Sequence, residues 1–298
     1  MPTLRQRITA FVSRRYPFLS GCGTFANSRF VRLAAGMSNE LAWGRLDGGA
    51  EILVPLNDYV GRAVYFVGDL DRKITEVIRR IVRPGDTVLD IGANLGIITM
   101  QLASLVGAHG RVHAFEPNPM VAELLSRTIE RNIARNVKLH RYALGAEEGK
   151  LDLAFPPGNA GQASLIDGRA SDGWKKVSVP VKTLSSVVCE NGIERIRLMK
   201  IDVEGYESQV FHGARDWFLA SPPDAILFEA NETDKGKAPD TSISFLTEAG
   251  YRLFSIPQQF LNLRLKPYNP TSDAMPAGND CLAVMKDREK EVLSGFTI

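Results

Sequence analysis

The sequence has few cysteines and no long apolar run. Its three cysteines, Cys22, Cys189 and Cys281, are odd in number and far apart, so they suggest neither a disulfide framework nor a zinc site. No run of about 18 apolar residues occurs, and we therefore expect no membrane-spanning helix. This cysteine usage is typical of a reducing compartment, and we predict a cytoplasmic protein.

An excess of charge is also missing. The net charge is +2 over 298 residues, which argues against a dominant nucleic-acid surface. The four histidines are scattered, and His113 and His140, which lie within predicted strands, are expected to be structural. Two acids two positions apart, Asp202 and Glu204, are weak evidence for a Mg²⁺ site. We therefore expect no metal. The hydrophobic content of 44% is enough to bury the core of one large α/β domain.

The most informative stretch is Val88–Thr99, which reads as a buried strand, a glycine turn and a helix. A dinucleotide site would need a glycine at Asn94 and Gly or Ala at Ile97. Neither is present, so a nicotinamide cofactor is disfavoured. Asp90 and Gly92 stand where the strand ends, which is where ligands bind in open α/β sheets.

Strands and helices alternate from Thr87 onward, and Glu116 ends the second strand of this series. A carboxylate at the end of that strand can accept hydrogen bonds from both hydroxyls of a ribose. Alternation of this kind predicts a doubly wound, largely parallel Rossmann-like sheet. The predicted strands are 88–91, 111–115, 137–142, 151–155, 177–181, 196–201, 225–229, 252–255 and 281–285.

Four motifs occur in order, and together they resemble the FkbM family of S-adenosylmethionine (SAM) methyltransferases. They are Val88–Gly96, Ala114–Pro119, Ala143–Gly145 and Lys200–Gly205. The resemblance covers roughly residues 50–286. It implies a methyltransferase sheet of about seven strands with the last one antiparallel, and methyl transfer from SAM, usually to a hydroxyl oxygen. Gly68–Asp71 departs from the family pattern, which puts one substrate-side or cofactor-side contact in doubt.

On this resemblance and the chemistry of SAM we assign roles to three groups of residues. For the cofactor, we expect backbone N–H groups of the glycine turn to hold the carboxylate, Asp90 to bind the ammonium and Glu116 to bind the ribose. Tyr142 and Ala143 are expected to flank the adenine, although a core aromatic is an equally good interpretation of Tyr142. The cofactor residues are Asp90, Gly92, Ala93, Asn94, Gly96, Glu116, Pro117, Asn118, Tyr142 and Ala143. The base or orienting residue is expected to be Asp202 or Glu204, although Glu204 is also well placed to cap the next helix. The acceptor residues are Glu229, Asn231 and Ser164, the last in a polar loop that also carries Asn159 and Gln162.

Three segments are expected: a basic extension (1–44), a hairpin and helix (45–86) and the methyltransferase domain (87–298). The hairpin is predicted from the short apolar runs 51–54 and 63–67. In the extension, Leu4, Ile8, Phe11 and Val12 give a short helix an apolar edge beside its arginines. One interpretation is weak contact with a membrane surface or an anionic partner. The favoured alternative is an extra helix packed on the domain, or a frayed tail.

The function predicted from the sequence is O-methylation of a sugar hydroxyl on a glycan or glycolipid. A small secondary metabolite is the nearest alternative acceptor. A SAM-binding regulator without turnover is a third possibility, which the Asp202 and Glu204 pair disfavours.

Overall fold

The computed structural model describes residues 1–155, 174–230, 241–273 and 280–298. The helices are α1 (Leu4–Ser13), α2 (Cys22–Ala26), α3 (Arg29–Ala35), α4 (Tyr59–Phe66), α5 (Arg72–Ile81), α6 (Ile97–Val106), α7 (Pro119–Arg131), α8 (Leu184–Asn191), α9 (Glu207–His212), α10 (Arg215–Ala220), α11 (Thr241–Glu248) and α12 (Glu289–Val292). The strands are β1 (Leu41–Arg45), β2 (Glu51–Pro55), β3 (Thr87–Ile91), β4 (Arg111–Phe115), β5 (Val137–His140), β6 (Ala143–Leu144), β7 (Gly149–Phe155), β8 (Lys175–Lys182), β9 (Leu198–Ile201), β10 (Ala225–Glu229), β11 (Tyr251–Ser255), β12 (Lys266–Tyr268) and β13 (Asp280–Met285). Within these ranges, no helix is both long and apolar enough to cross a membrane.

The main sheet has eight strands in the order β12-β11-β13-β10-β9-β3-β4-β5. Strands β10, β9, β3, β4 and β5 run parallel, whereas β13 is antiparallel to both of its neighbours. The predicted doubly wound sheet with an antiparallel last strand is therefore confirmed. The short edge strand β12 brings the count to eight.

Both faces of this sheet are buried, which explains why its strands read as continuous apolar runs. In β10, Ile226 and Phe228 belong to one core cluster, while Ala225 and Leu227 belong to the cluster on the opposite face. The carboxyl ends of the parallel strands consequently lie on one edge of a rigid layer, and the site is built at that edge.

The hairpin predicted from 51–54 and 63–67 is wrong in its second strand. Strand β2 pairs with β1, which precedes it, and Ala63–Phe66 lies in α4. The side chain of Asp58 accepts the N–H of Gly61 at 2.8 Å and starts that helix. Short apolar runs do not distinguish strand from helix by periodicity alone.

The third predicted strand is also shorter than expected. It ends at His140, and the chain leaves the main sheet before Ala143. Strand β6 instead joins β8 and β7 in a separate three-stranded sheet.

The N-terminal extension packs against the domain. Ala10, Cys22 and Val31 share a buried core cluster with Phe66 of α4 and Leu95 of the glycine turn. The predicted first helix is present as α1, but Leu4, Ile8, Phe11 and Val12 are exposed.

Candidate functional site

The turn after β3 is held in a conformation that favours glycine. Gly92 and Gly96 have φ values of +79° and +92°, and Asn94 has a φ of +50°. A Cβ atom at Gly92 would overlap the carbonyl oxygen of Asp202. The turn therefore requires glycine at position 92 for both conformation and space.

The backbone N–H groups of this turn are engaged within the chain. Those of Gly92 and Ala93 donate to the carbonyl oxygen of Phe115 at 3.0 and 2.9 Å. The N–H of Asn94 donates to the carboxylate of Glu116 at 2.9 Å. Each of these N–H groups thus already has an acceptor, and their expected role in holding a cofactor carboxylate stays a prediction. Gly92, Ala93 and Asn94 nevertheless line the cavity described below.

Asp90 lies beneath the turn and is fully buried. Its Oδ2 accepts the hydroxyl of Thr99 at 2.6 Å, and its Oδ1 lies 3.6 Å from the Nζ of Lys200. Among the described residues, no hydrogen bond to that Oδ1 is formed. Asp90 is not part of the cavity lining. The ammonium of Lys200 thus occupies the place beside Asp90 that the sequence assigned to a cofactor ammonium.

Lys200 was not singled out by the sequence analysis, although it lies in the fourth motif. Its buried Nζ also donates to the carbonyl oxygen of Gly92 at 3.1 Å and lies 3.3 Å from Oδ2 of Asp202. Burial by itself lowers the pKa of Lys200, but the charges of Asp202 and Asp90 outweigh burial and raise it above the ordinary value. Lys200 therefore remains a cation, and it joins the turn to the end of β9.

Glu116 follows β4, and its side chain is hydrogen-bonded to the turn that follows β3. Its carboxylate accepts the N–H of Asn94 and, at 2.8 Å, the N–H of Asn118. Burial raises the pKa of this carboxyl to about 7. Pro117 is half-buried. Asn118 is fully buried and caps α7 by accepting the N–H of Met120 at 3.1 Å, and the cofactor contact expected of it stays a prediction.

The two residues assigned to an adenine lie away from the cavity lining. Tyr142 is half-buried, and its hydroxyl lies 2.9 Å from Nδ1 of His140. Ala143 is buried in the small sheet. His140 itself lies 3.0 Å from His113, and burial lowers the pKa values of both histidines, to about 3 and about 4 respectively. These neutral histidines fit the structural role expected for them.

A cavity of about 390 Å³ opens at the carboxyl ends of β3, β9 and β10. The N-terminal extension contributes Ser20, Gly21, Gly23 and Thr24 to its wall. The charged residues of its lining are Asp69, Asp71, Lys200, Asp202, Glu229 and Asp280. Five carboxylates and one ammonium make this cavity acidic.

Two of the carboxylates that line the cavity, Asp69 and Asp71, lie in the segment Gly68–Asp71, where the sequence departs from the family pattern. Asp71 caps α5, and Lys73 links it to Asp280 with Nζ–carboxylate distances of 3.5 and 2.5 Å. Burial raises the pKa of Asp71 to about 6. Asp280 also has a raised pKa, because its burial outweighs the charge of Lys73. Sequence reasoning did not connect these residues, since Lys73 and Asp280 are 207 positions apart.

Of the two predicted catalytic acids, only Asp202 lines the cavity. Its side chain is 49% exposed, and Lys200 fixes one of its oxygens. Glu204 is exposed, has a φ of +56° and does not line the cavity. The N-cap residue of α9 is Tyr206, whose side chain forms no cap hydrogen bond. The carboxylate of Glu207 accepts the N–H groups of Val203 and Gly205 at 3.3 and 3.2 Å and so holds the turn that precedes this helix.

Glu229 lies at the end of β10 and lines the same cavity. Burial raises the pKa of its carboxyl to about 7, and the charges of Asp202 and Asp280 add to this rise. The other predicted acceptor residues, Asn231 and Ser164, lie outside the described residues, as do Asn159 and Gln162. Within the described ranges, no three His, Cys, Asp or Glu side chains are grouped as metal ligands.

Solved structures with a similar course of the chain are distant. A crystal structure of methyltransferase FkbM from Methylobacillus flagellatus KT covers 70% of this chain and 50% of that chain, with 16% identity and a TM-score of 0.43. A SAM-dependent O-methyltransferase from Thermotoga maritima covers 83% of this chain and 77% of its own, with 14% identity and a TM-score of 0.41. Similarities with TM-scores and identities this low do not support a conclusion about function.

Sequence relatives are more informative. The 31-O-demethyl-FK506 methyltransferase FkbM of Streptomyces tacrolimicus is 30% identical and covers 45% of this chain. Methyltransferase 1 of Beauveria bassiana is 29% identical over the same share. The chain spans 62% and 60% of the lengths of these two relatives. The model of the methyltransferase FkbM domain matches residues 90–253, more than half of the chain. The chain therefore belongs to the FkbM methyltransferase family.

Proposed function

We propose that this protein is a SAM-dependent O-methyltransferase that acts on a sugar hydroxyl of a glycan or glycolipid. Its family supports SAM as the cofactor. The observation that carries the proposal is the acidic cavity, which lies beside the glycine turn and the end of β9. Its volume of about 390 Å³ is within the range of small-molecule sites.

The residues of the cavity fit the charges of SAM. The carboxylates of Asp202 and Glu229 are suited to bind its positively charged ammonium and sulfonium groups. Lys200 is the cation that suits its carboxylate, since it lies in the lining and already contacts the turn at Gly92. Glu116 does not line the cavity, but its carboxylate contacts the turn at Asn94, which does. It accepts two N–H groups, and two carboxylate oxygens offer about four lone pairs, so capacity is left for ribose hydroxyls. When bound, SAM supplies an electrophilic methyl group.

The chain must also hold the acceptor hydroxyl and take its proton. Of the two acids expected to do so, Asp202 is favoured over Glu204 because only Asp202 lines the cavity. We assign the orienting role to Asp202, since Lys200 fixes its carboxylate. Glu229 is suited to take the proton, because its pKa of about 7 is close to the ideal for a base at neutral pH.

The sugar is proposed from the breadth of the family, from the polar composition of residues 156–173 and from the basic N-terminal extension. A small secondary metabolite is the second candidate. The printed name of the Streptomyces tacrolimicus relative, which refers to methylation of a demethyl-FK506, favours it. A cytoplasmic location stays a prediction.

Calorimetric titration with S-adenosylhomocysteine (SAH), with NAD as the control ligand, tests the cofactor first. Binding of SAH alone supports the proposal, and absence of SAH binding by folded protein contradicts it. Labelled SAM is then incubated with sugars, glycolipids and polyketide-type alcohols. Methylation of the alcohols alone would select the second candidate. SAH binding without transfer to any acceptor class would favour a regulator instead.

A further inference from the structure

Helix α1 packs on the domain with its small and polar face, and its apolar edge points away. Gln6, Ala10 and Ser13 are buried. The exposed fractions are 71% for Leu4, 56% for Ile8, 65% for Phe11 and 58% for Val12. A surface helix ordinarily buries such a stripe against its own protein. Here the described residues leave it open.

Helix α3 lies beside α1 and continues the exposed surface. The guanidinium of Arg5 donates to the carbonyl oxygens of Leu33 and Ala34 at 2.5 and 3.0 Å, which ties the two helices together. Phe30 and Leu33 are 72% and 76% exposed. The apolar edge, as we call it, consists of Leu4, Ile8, Phe11, Val12, Phe30, Leu33 and Met37.

Exposed arginines accompany this edge on both helices, and they are Arg5, Arg7, Arg15, Arg29 and Arg32. The guanidinium of Arg15 lies 4.2 Å from the ring centroid of Phe11. The single acid of residues 1–44, Glu40, is engaged by the terminal ammonium of Met1 at 2.8 Å. The surface therefore combines apolar side chains with uncompensated positive charge.

An anionic bilayer matches both properties, because it offers acyl chains to the apolar residues and phosphate groups to the arginines. A second copy of the chain would cover the apolar residues but would offer no negative charge to the arginines. A two-fold dimer through the apolar edge would bring the same arginines of both copies together. We propose that α1 and α3 dock this protein on the surface of an anionic lipid bilayer. This docking does not depend on the proposed function.

Flotation with vesicles tests the docking. The full chain is mixed with phosphatidylcholine vesicles, with or without phosphatidylglycerol. We expect it to float with the anionic vesicles, and to do so less as salt is raised. The double variant Ile8→Gln/Phe11→Gln and the double variant Arg29→Gln/Arg32→Gln should each lose about tenfold or more in partitioning. All four side chains are exposed, so the fold should be retained.

The matched control is Ile133→Gln, which removes an equally exposed apolar side chain, 72% accessible, outside the extension. It should float like the unaltered protein. Equal flotation of Ile8→Gln/Phe11→Gln and the unaltered protein would overturn the proposal. So would equal binding to neutral and anionic vesicles, or self-association that the same variant abolishes.

SAH titration of the same preparations separates this proposal from the proposed function. Binding of SAH without flotation contradicts the docking alone. Flotation without SAH binding contradicts the methyltransferase assignment and leaves the docking supported.

Discussion

The carboxylate of Glu116 accepts the backbone N–H of Asn94 at 2.9 Å and so joins the end of β4 to the turn that follows β3. Its other oxygen accepts the N–H of Asn118 at the start of α7. One side chain thereby fixes two loops at the edge of the sheet where the cofactor is expected to bind.

The variant Glu116→Gln should weaken SAH binding by about tenfold or more. The amide NH₂ of glutamine replaces one acceptor oxygen, so one of the two backbone N–H groups loses its partner and the ribose loses an acceptor. Calorimetric titration measures the change. The control is Glu123→Gln on the exposed side of α7, where the side chain is 59% accessible. Equal SAH affinities for the two variants would contradict the role of Glu116.

Methyl transfer should rise with pH up to about 7 and then level off. The pKa of Glu229 is raised to about 7, so this carboxyl is protonated below that pH and cannot accept the proton of the acceptor. Below the pKa, the rate should fall about tenfold per pH unit. The pH profile of kcat/KM measures this.

The variant Glu229→Gln should lower the rate and remove the rising limb of that profile. Asp287→Asn, at a side chain that is 72% accessible, is the control and should keep the limb. A rising limb that persists in Glu229→Gln would assign the proton to another group, and Asp202→Asn would then be examined in the same way.

The variant Lys200→Met should lower the free energy of unfolding by about 3–5 kcal/mol, because it leaves the buried carboxylate of Asp90 without its cation. Urea denaturation at pH 7 measures this loss. The double variant Lys200→Met/Asp90→Asn removes the uncompensated charge as well and should recover part of the stability. No recovery would mean that the Lys200 contact with Gly92, rather than its charge, stabilises the site.

The variant Gly92→Ala should lower the free energy of unfolding and the affinity for SAH far more than Gly85→Ala does. Both glycines have a positive φ, +79° and +91°. An added Cβ at Gly85 meets nothing within 4 Å, so that variant should cost about 1–2 kcal/mol of backbone strain alone. At Gly92 the Cβ overlaps the carbonyl oxygen of Asp202 and forces β3 and β9 apart. Urea denaturation and SAH titration together check the difference, and equal losses in the two variants would contradict it.

Much of the core could be predicted from the sequence. Strands β3, β4 and β10 and helices α6 and α7 lie where the apolar runs, glycines and Pro119 indicated, because their signals are local. The segment before the core was predicted less well. The apolar residues Ala63–Phe66 suit a strand or a helix equally, and only the cap at Asp58 and the packing of α4 decide between them.

By itself, the sequence determined the family, the parallel sheet and the glycine turn, since each depends on residues close together in the chain. Only the tertiary structure decided which charges meet. Lys200 reaches Asp90 from a neighbouring strand, Lys73 reaches Asp280 across 207 positions, and Ser20–Thr24 of the N-terminal extension closes the cavity. The physical reason is that burial and pairing of charge depend on distance in space, which the spacing of residues along one chain does not reveal.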